Sequence, residues 1–273
     1  MIWLASYPKS GNTWLRSVYT ALVQGDVDIN GLVAGAVSSA RGLFDTALGI
    51  RSSDLSPDEA DSLRPAADDA AAARIGEDRW RKIHDALFPG PTGLPVISPD
   101  ATRIALYVIR DPRDVAISYA HHAGMSHKAA VECLATTDSA VAGDATQLLP
   151  QMRQCLGTWS EHVLSWVDQD WFPVHVVRYE DCITAPVKTF REAFVAGGLC
   201  PSEAEVADAV ARASWDRLKE QEAQAGFRER SGRDVSFFRR GKAGSWKEEL
   251  SPELAQRVAR EHGEVMARFG YIP

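Results

Sequence analysis

The chain has 273 residues, of which 45% are hydrophobic and 25% are charged, a composition typical of an ordinary globular protein. Its 30 basic and 37 acidic side chains give a formal net charge of -7, which argues against nucleic-acid binding and confines any anion site to a local basic pocket. No apolar stretch approaches the roughly twenty residues of a membrane span, and no signal peptide is visible. We therefore expect a cytoplasmic protein with no nucleic-acid partner and no membrane span.

The cysteines and histidines indicate neither a disulfide framework nor a metal site. The four cysteines are widely spaced and include no C-x-x-C pair, which predicts free and mostly buried thiols. His121 and His122 are neighbours on a predicted helix, where adjacent side chains point in different directions and make a poor metal pair. The sequence therefore predicts no metal.

The start of the chain predicts a strand, a tight loop and a helix. Residues 2–5 are apolar, residues 6–13 are small and polar, and apolar residues recur at helical spacing from Trp14 onward. Such loops bind phosphate through backbone N–H groups and a helix N-terminus, while Lys9 adds positive charge and Gly11 permits close approach. Lys9 precedes Gly11, so the loop is not the Walker form. A buried strand followed by an ordinary surface turn is the alternative.

Residues 7–14, with the sequence Y-P-K-S-G-N-T-W, resemble a known nucleotide-binding loop. This is the loop Y-P-K-S-G-T-T-W of the cytosolic-type sulfotransferases, which use 3′-phosphoadenosine 5′-phosphosulfate (PAPS). Asn12 replaces the usual Thr, a mild departure because Asn can also cap a helix or donate to an oxygen. The resemblance implies donor contacts from six residues: Lys9, Ser10, Gly11, Asn12, Thr13 and Trp14.

Two stretches without chemical motifs are expected to be helical or loop insertions near the acceptor side, residues 31–75 and 125–150. The part from 31 to 49 is rich in Gly and Ala, and a plain connector is the alternative interpretation there. Ser56 and Pro57 predict the start of a helix.

A histidine that follows a short predicted strand is the candidate general base. Lys82, Ile83 and His84 match the family segment K-T-H except at its middle position, and in that family the His is the base. Sulfuryl transfer to a hydroxyl needs a base near neutral pH, which suits an imidazole. The resemblance implies that His84 is this base and that Lys82 assists at the sulfuryl group. A polar side chain satisfied at a strand end is the alternative for His84.

A continuous apolar run over residues 104–109 predicts a buried strand that ends at Arg110. Open α/β sheets bind ligands at the carboxyl ends of their strands, and an Arg there can hold a phosphate through two hydrogen bonds. Arg110 and Ser118, eight residues apart, resemble the family's 3′-phosphate motif. Arg113 and Asp114 are expected to form a charge pair at the start of the next helix.

Residues 172–178 predict a third buried strand, which ends in R-Y-E-D like a strand of the family. The resemblance implies that Tyr179 lies on the adenine side of the nucleotide. Trp215 follows Ala213 and Ser214 where the family has T-S-F, whose aromatic ring stacks on adenine. Core packing is the alternative for both rings, and we expect Trp159 and Trp166 to be core residues.

The segment R-R-G-K-A-G-S-W-K, residues 239–247, is a basic loop inside an acidic protein. It resembles the family's R-K-G-x-x-G-D-W-K segment, which closes over the 3′-phosphate. The resemblance implies phosphate contacts from Arg239, Arg240 and Gly241.

Four of these motifs follow one another along the chain: the Lys9 loop, Lys82–His84, Arg110–Ser118 and Arg239–Gly241. Together they imply a single α/β domain over residues 1–273, with a central parallel sheet flanked by helices and a P-loop-like phosphosulfate loop after the first strand. They imply a PAPS-dependent sulfotransferase that acts on a small-molecule hydroxyl, releases 3′,5′-ADP and needs no metal. The alternatives are a carbohydrate or natural-product-scaffold sulfotransferase, a P-loop kinase-like phosphotransferase and a non-catalytic nucleotide-binding module. Loops 31–49 and 227–236 are expected to shape the acceptor pocket. A homodimer is left open.

Overall fold

Four parallel strands form the central sheet of the computed structural model, which describes residues 1–75, 79–90, 92–143, 147–230 and 236–272. The strands in chain order are β1 (Ile2–Ser6), β2 (Trp80–Ile83), β3 (Ile104–Ile109), β4 (Ala140–Val141), β5 (Gln154–Cys155) and β6 (Val174–Arg178). The sheet has the order β2-β1-β3-β6, and β4 and β5 form a separate antiparallel ribbon. The predicted strands at the first loop, before His84 and before Arg110 are confirmed.

Helices cover both faces of the sheet, as the sequence predicts for an α/β domain. In chain order they are α1 (Asn12–Gln24), α2 (Arg41–Leu48), α3 (Pro57–Ile75), α4 (Pro112–Ala123), α5 (His127–Ala135), α6 (Trp159–Val167), α7 (Tyr179–Thr184), α8 (Pro186–Ala196), α9 (Glu203–Arg212), α10 (Trp215–Ala225), α11 (Trp246–Glu249) and α12 (Pro252–Arg268). The side chain of Ser251 caps α12, which begins at Pro252.

The two faces of β1 pack into different apolar clusters because successive side chains of a strand point to opposite faces. Ile2 and Leu4 pack in the cluster that α1 and α8 complete, whereas Trp3 and Ala5 pack in the cluster that α4, α6 and α12 complete. Trp159 and Trp166 lie in this second cluster with no exposed surface, so their predicted core role is confirmed. The carboxyl ends of the strands are thereby held rigidly at one edge.

Strand β6 is less buried than its apolar sequence predicts. Within the described residues it pairs only with β3 and forms one edge of the sheet, and of its own five residues only Val177 is buried. The prediction for the cysteines is also wrong in part. All four are free, but only Cys182 is buried; Cys133 and Cys155 are half-buried and Cys200 is exposed.

Part of the first predicted insertion extends the sheet beyond β2. The backbone N–H of Ser38 donates to the Lys82 carbonyl oxygen at 2.8 Å, and the N–H of Lys82 donates to the Ala36 carbonyl oxygen at 3.2 Å. On its other side this segment meets the chain at an antiparallel bridge between Ala40 and Gln151. The insertion thus reaches the strand that precedes His84, while its relation to an acceptor stays a prediction.

No helix in the described ranges is long and apolar enough to cross a membrane. Residues 144–146 of the second predicted insertion and residues 231–235 of the predicted acceptor loop lie outside the described residues.

Candidate active site

The carboxyl ends of the sheet strands open into a cavity of about 760 Å³. Lys9 follows β1, His84 follows β2, Arg110 follows β3 and Tyr179 follows β6, so the parallel sheet brings together residues that are distant in the sequence. The predicted site residues that line the cavity are Lys9, Gly11, Asn12, Thr13, Trp14, Lys82, His84, Arg110, Ser118, Tyr179, Trp215, Arg239, Arg240 and Gly241. Ser10 is the exception among the predicted set.

The loop after β1 makes a close turn against Tyr179. Gly11 has φ +112°, and a Cβ at this position would lie 2.6 Å from Cδ2 of Tyr179, so both conformation and space require glycine. The N–H of Ser10 donates to the Tyr7 carbonyl oxygen at 3.3 Å, and the Ser10 side chain is only 1% exposed. Ser10 therefore stabilises the turn from the side away from the cavity, while Gly11 to Trp14 line the cavity.

Asn12 ties the loop to the strand instead of capping the helix. Gly11 occupies the N-cap position of α1, and the Nδ2 of Asn12 donates to the Leu4 carbonyl oxygen at 2.8 Å. Of the two roles that the sequence allows for Asn12, donation to an oxygen is the one observed, and its acceptor is the protein backbone.

Lys9 is half-buried and lines the cavity. Its Nζ lies 3.6 Å from the centre of the Phe237 ring, a cation–π contact. Burial lowers the pKa of Lys9 to about 7, with a further contribution from the positive charge of Lys82. Binding of an anion would favour the charged form of Lys9 and draw its pKa back up.

His84 is held in one tautomer by the end of β1. Its Nδ1 lies 2.8 Å from the carbonyl oxygen of Ser6, which can only accept, so Nδ1 carries the hydrogen. The lone pair of the neutral ring is therefore on Nε2. Burial, and then the positive charge of Lys82, lower the pKa of His84 well below its usual value. At neutral pH the ring is a neutral base.

His162 supports the main chain of His84 from the core, a contact that the sequence analysis missed. Its Nε2 donates to the His84 carbonyl oxygen at 2.9 Å, which leaves Nδ1 to accept from the hydroxyl of Tyr107 at 2.9 Å. His162 belongs to the apolar stripe of α6 and has no exposed surface. The only sequence signal is a histidine on a core-facing helix stripe.

Arg110 spans the cavity floor between the first loop and the basic loop near the C-terminus. Its guanidinium stacks over the Tyr179 ring at 4.3 Å and donates to the Lys9 and Lys242 carbonyl oxygens at 3.3 and 3.0 Å. Ser118 lies two turns along α4 and also lines the cavity. The two predicted 3′-phosphate residues are therefore brought to the same cavity.

The predicted charge pair between Arg113 and Asp114 does not form. Arg113 pairs with Asp111 at 2.7 Å, and Asp114 instead accepts from the backbone N–H groups of Gly244 and Trp246 at 2.7 and 2.9 Å. Neighbouring helix residues face different directions, which separates the two side chains. Asp114 thus holds the end of the basic loop onto α4.

We call residues 236–246, which include most of the basic loop, the basic segment. A second buried carboxylate holds its other end. Glu222 near the end of α10 accepts from the N–H groups of Phe237 and Phe238 at 2.6 and 2.9 Å and is only 4% exposed. The basic segment is therefore fixed at both ends through its main chain.

The two arginines of the basic segment are paired with acids of α11. Arg239 makes two hydrogen bonds to Glu249, at 2.6 and 3.0 Å, and Arg240 lies 2.9 Å from Glu248. Both arginines line the cavity, and anion binding there would compete with or add to these pairs. Their predicted phosphate contact stays a prediction.

At the predicted adenine pocket, the ring of Trp215 packs closely against Gly241. A Cβ on Gly241 would lie 2.4 Å from Cδ2 of Trp215, and φ there is +62°. Trp14 donates from Nε1 to the Ala213 carbonyl oxygen at 3.1 Å and meets Tyr179 edge to face. Three aromatic rings thus share one end of the cavity.

Lys82 makes an ion pair that the sequence analysis did not identify. Its Nζ lies 3.0 Å from Oε2 of Glu229, and Glu229 in turn pairs with Arg16 at 2.8 Å. Both Lys82 and Glu229 line the cavity. Within the described part of the chain, no cluster of three or more His, Cys, Asp or Glu side chains could hold a metal ion.

Comparison with known families and proteins gives consistent matches. The model of the sulfotransferase domain matches residues 94–270, more than half of the chain. Flavonol 3-sulfotransferase of Flaveria bidentis is 22% identical over 286 residues, which cover 99% of this chain and 83% of the relative. Cytosolic sulfotransferase 16 of Arabidopsis thaliana is 27% identical over 275 residues, which cover 93% of this chain and 72% of the relative.

Solved structures share the fold. Retinol dehydratase in complex with androsterone and the inactive cofactor PAP has a TM-score of 0.61 at 19% identity, covering 97% of this chain and 80% of that chain. A mouse sulfotransferase complexed with PAP has a TM-score of 0.60 at 20% identity, covering 97% of this chain and 84% of that chain.

Proposed function

Because the chain belongs to the sulfotransferase family, we propose that it transfers the sulfuryl group of PAPS to a hydroxyl of a small-molecule acceptor, with His84 as the general base. The observation that carries this proposal is the neutral imidazole of His84, oriented by Ser6 in the cavity that Lys9 and Arg110 also line. A base and several cations converge there, as an acid–base step next to an anionic leaving group requires.

The cavity fits a doubly phosphorylated donor. Its wall carries Lys9, Lys82, Arg110 and the two arginines of the basic segment, and the glycine turn at Gly11 lets backbone approach an oxygen closely. Trp14 and Trp215 lie at the end expected to receive the adenine. PAPS supplies the sulfuryl group and the phosphate leaving group when it binds.

The residues divide the work of the transfer among them. His84 accepts the proton of the acceptor hydroxyl on Nε2 while that oxygen forms its bond to sulfur. The bond from sulfur to the bridging phosphate oxygen breaks, and its electron pair stays on that oxygen. Lys9 neutralises the charge that develops there. Lys82 holds the sulfuryl oxygens, and Arg110 with Ser118 holds the 3′-phosphate.

The acceptor is proposed at the level of a small hydroxyl compound. One relative has a name that refers to flavonol, and the retinol dehydratase structure contains androsterone. A cytoplasmic location is proposed on the name of the Arabidopsis relative, cytosolic sulfotransferase 16. Self-association as a homodimer stays a prediction.

Calorimetric titration of PAP, the product 3′,5′-ADP, tests the donor site. We expect the wild type to bind PAP more tightly than ATP, and Arg110→Ala to weaken PAP binding roughly 10- to 100-fold through loss of charge-assisted hydrogen bonds. Arg260→Ala, which removes an exposed charge from α12, is the matched control and should bind like the wild type. Equal affinity for ATP, or an Arg110→Ala variant that binds normally, would contradict the proposal.

The affinity for PAP should also depend on pH through Lys9. The pKa of about 7 means that Lys9 is charged below this pH and neutral above it, so we expect weaker PAP binding as the pH rises from about 7 to 9. A phosphate with a second pKa of about 6 is fully ionised over this range and does not contribute. Lys9→Met should remove most of the dependence. A wild-type affinity that is constant with pH would exclude this role.

A further inference from the structure

A chain of three charges, buried at Arg16 and partly exposed at Glu229 and Lys82, runs along the cavity wall from α1 to β2. The guanidinium of Arg16 donates to Glu229 at 2.8 Å (Nη2 to Oε1) and 3.3 Å (Nη1 to Oε2), and Nζ of Lys82 lies 3.0 Å from Oε2. The carboxylate of Glu229 therefore links α1, β2 and the part of the chain that precedes the basic segment. No motif in the sequence analysis accounts for Glu229 or Arg16.

Glu229 is fixed in place by Arg16. The Arg16 side chain is only 1% exposed, and in the described ranges Glu229 is its only carboxylate partner. Removing Glu229 from it would leave an uncompensated buried cation, which is strongly unfavourable. This argues against a displaceable carboxylate that merely blocks the anion site.

Oε2 of Glu229, which Arg16 also contacts at 3.3 Å, pairs with Nζ of Lys82 at 3.0 Å. An ammonium has three N–H donors, and one of them points at Oε2, which leaves two for oxygens of a bound group. The Lys82 side chain is 14% exposed, so burial favours its neutral form and the carboxylate opposes this effect. A flexible four-carbon side chain thereby has a defined direction and a defined charge.

We propose that Glu229 is a positioning residue for sulfuryl transfer, which holds Lys82 charged and directed at the sulfuryl group while Arg16 anchors Glu229. The inference rests on the proposed function, because it needs Lys82 at the sulfuryl oxygens. PAP lacks that group. The contribution of Glu229 should therefore be visible in turnover and absent from PAP binding.

A double-mutant cycle on kcat tests the proposal, with Glu229→Gln, Lys82→Met and the double variant. We expect Glu229→Gln to lower kcat roughly 10- to 100-fold with PAP affinity changed less than about threefold, and to have no further effect once Lys82 is Met. Glu229→Asp should recover part of the activity. Glu220→Gln, an exposed acid of α10, is the matched control for the change of charge.

Three outcomes would overturn the proposal: a Glu229→Gln variant with raised kcat, additive effects of Glu229→Gln and Lys82→Met, or a parallel loss of PAP affinity. If Glu229→Gln fails to fold, the Arg16→Met/Glu229→Gln variant removes both buried charges and replaces it in the cycle. A wild type that binds PAP and transfers sulfuryl groups, together with an additive cycle, rejects this inference alone. A wild type with neither property rejects the proposed function.

Discussion

Replacing His84 by alanine is expected to lower kcat by about 10²- to 10⁴-fold, the usual contribution of a general base. The affinity for PAP should stay within about threefold of the wild type, because the ring takes a proton from the acceptor and its Nδ1 is bonded to Ser6. Turnover would be measured with saturating PAPS and a panel of phenols and alcohols, alongside calorimetry with PAP.

The same experiment has a pH component with a definite sign. The pKa of His84 is depressed, so the base is already deprotonated at pH 7 and stays so as the pH falls through the normal range of an imidazole. We expect wild-type kcat/KM, which reports the ionisation of the free enzyme, to show no acid limb between about pH 6 and 7. A limb centred near pH 6.5, or a His84→Ala variant with near-normal kcat, would exclude a neutral His84 as the base.

Replacing Lys9 by methionine is expected to lower kcat by about 10²- to 10³-fold, since one preorganised charge at the leaving oxygen is removed. Methionine keeps the length and the apolar contact with Phe237, so the loop should retain its shape. Single-turnover measurement with bound PAPS separates the chemical step from donor binding. Lys9→Arg keeps the charge and is the companion variant.

Two results would count against this role of Lys9. A Lys9→Met variant that loses only PAPS affinity, with kcat intact, would make Lys9 a binding residue that does not stabilise the transition state. A loss of stability equal to that of Gly11→Ala would instead indicate that the loop had collapsed, because a Cβ at Gly11 meets Tyr179 at 2.6 Å.

The fold could be predicted from the sequence because the patterns that indicate it lie within short stretches of the chain. Short apolar runs before Lys9 and Arg110 indicate buried parallel strands, and the resemblance of residues 82–84 to a family segment implies another strand before His84. The carboxyl edge of such a sheet brings together the residues that follow each strand. Glycine at position 11 predicts a close turn, and its positive φ confirms this prediction.

The supporting carboxylates were not readable, because their partners are distant in the sequence. Glu229 lies 147 positions from Lys82 and 213 from Arg16, and Asp114 lies 130 from Gly244. Acidic residues are most often solvated, so a single sequence does not distinguish a buried one. The edge position of β6 was hidden for a related reason, since strand order is set by the packing of the whole sheet.

Because two carboxylates hold the basic segment through its main chain, its backbone course should not depend on its side chains. Asp114 and Glu222 bind main-chain N–H groups, which every residue except proline provides. A library randomised at positions 239, 240, 242 and 243, with Gly241 kept for its contact with Trp215, should therefore preserve the course of the backbone. The phosphate contacts proposed for Arg239 and Arg240 can accordingly be tested by changing charge alone, with the surrounding fold kept.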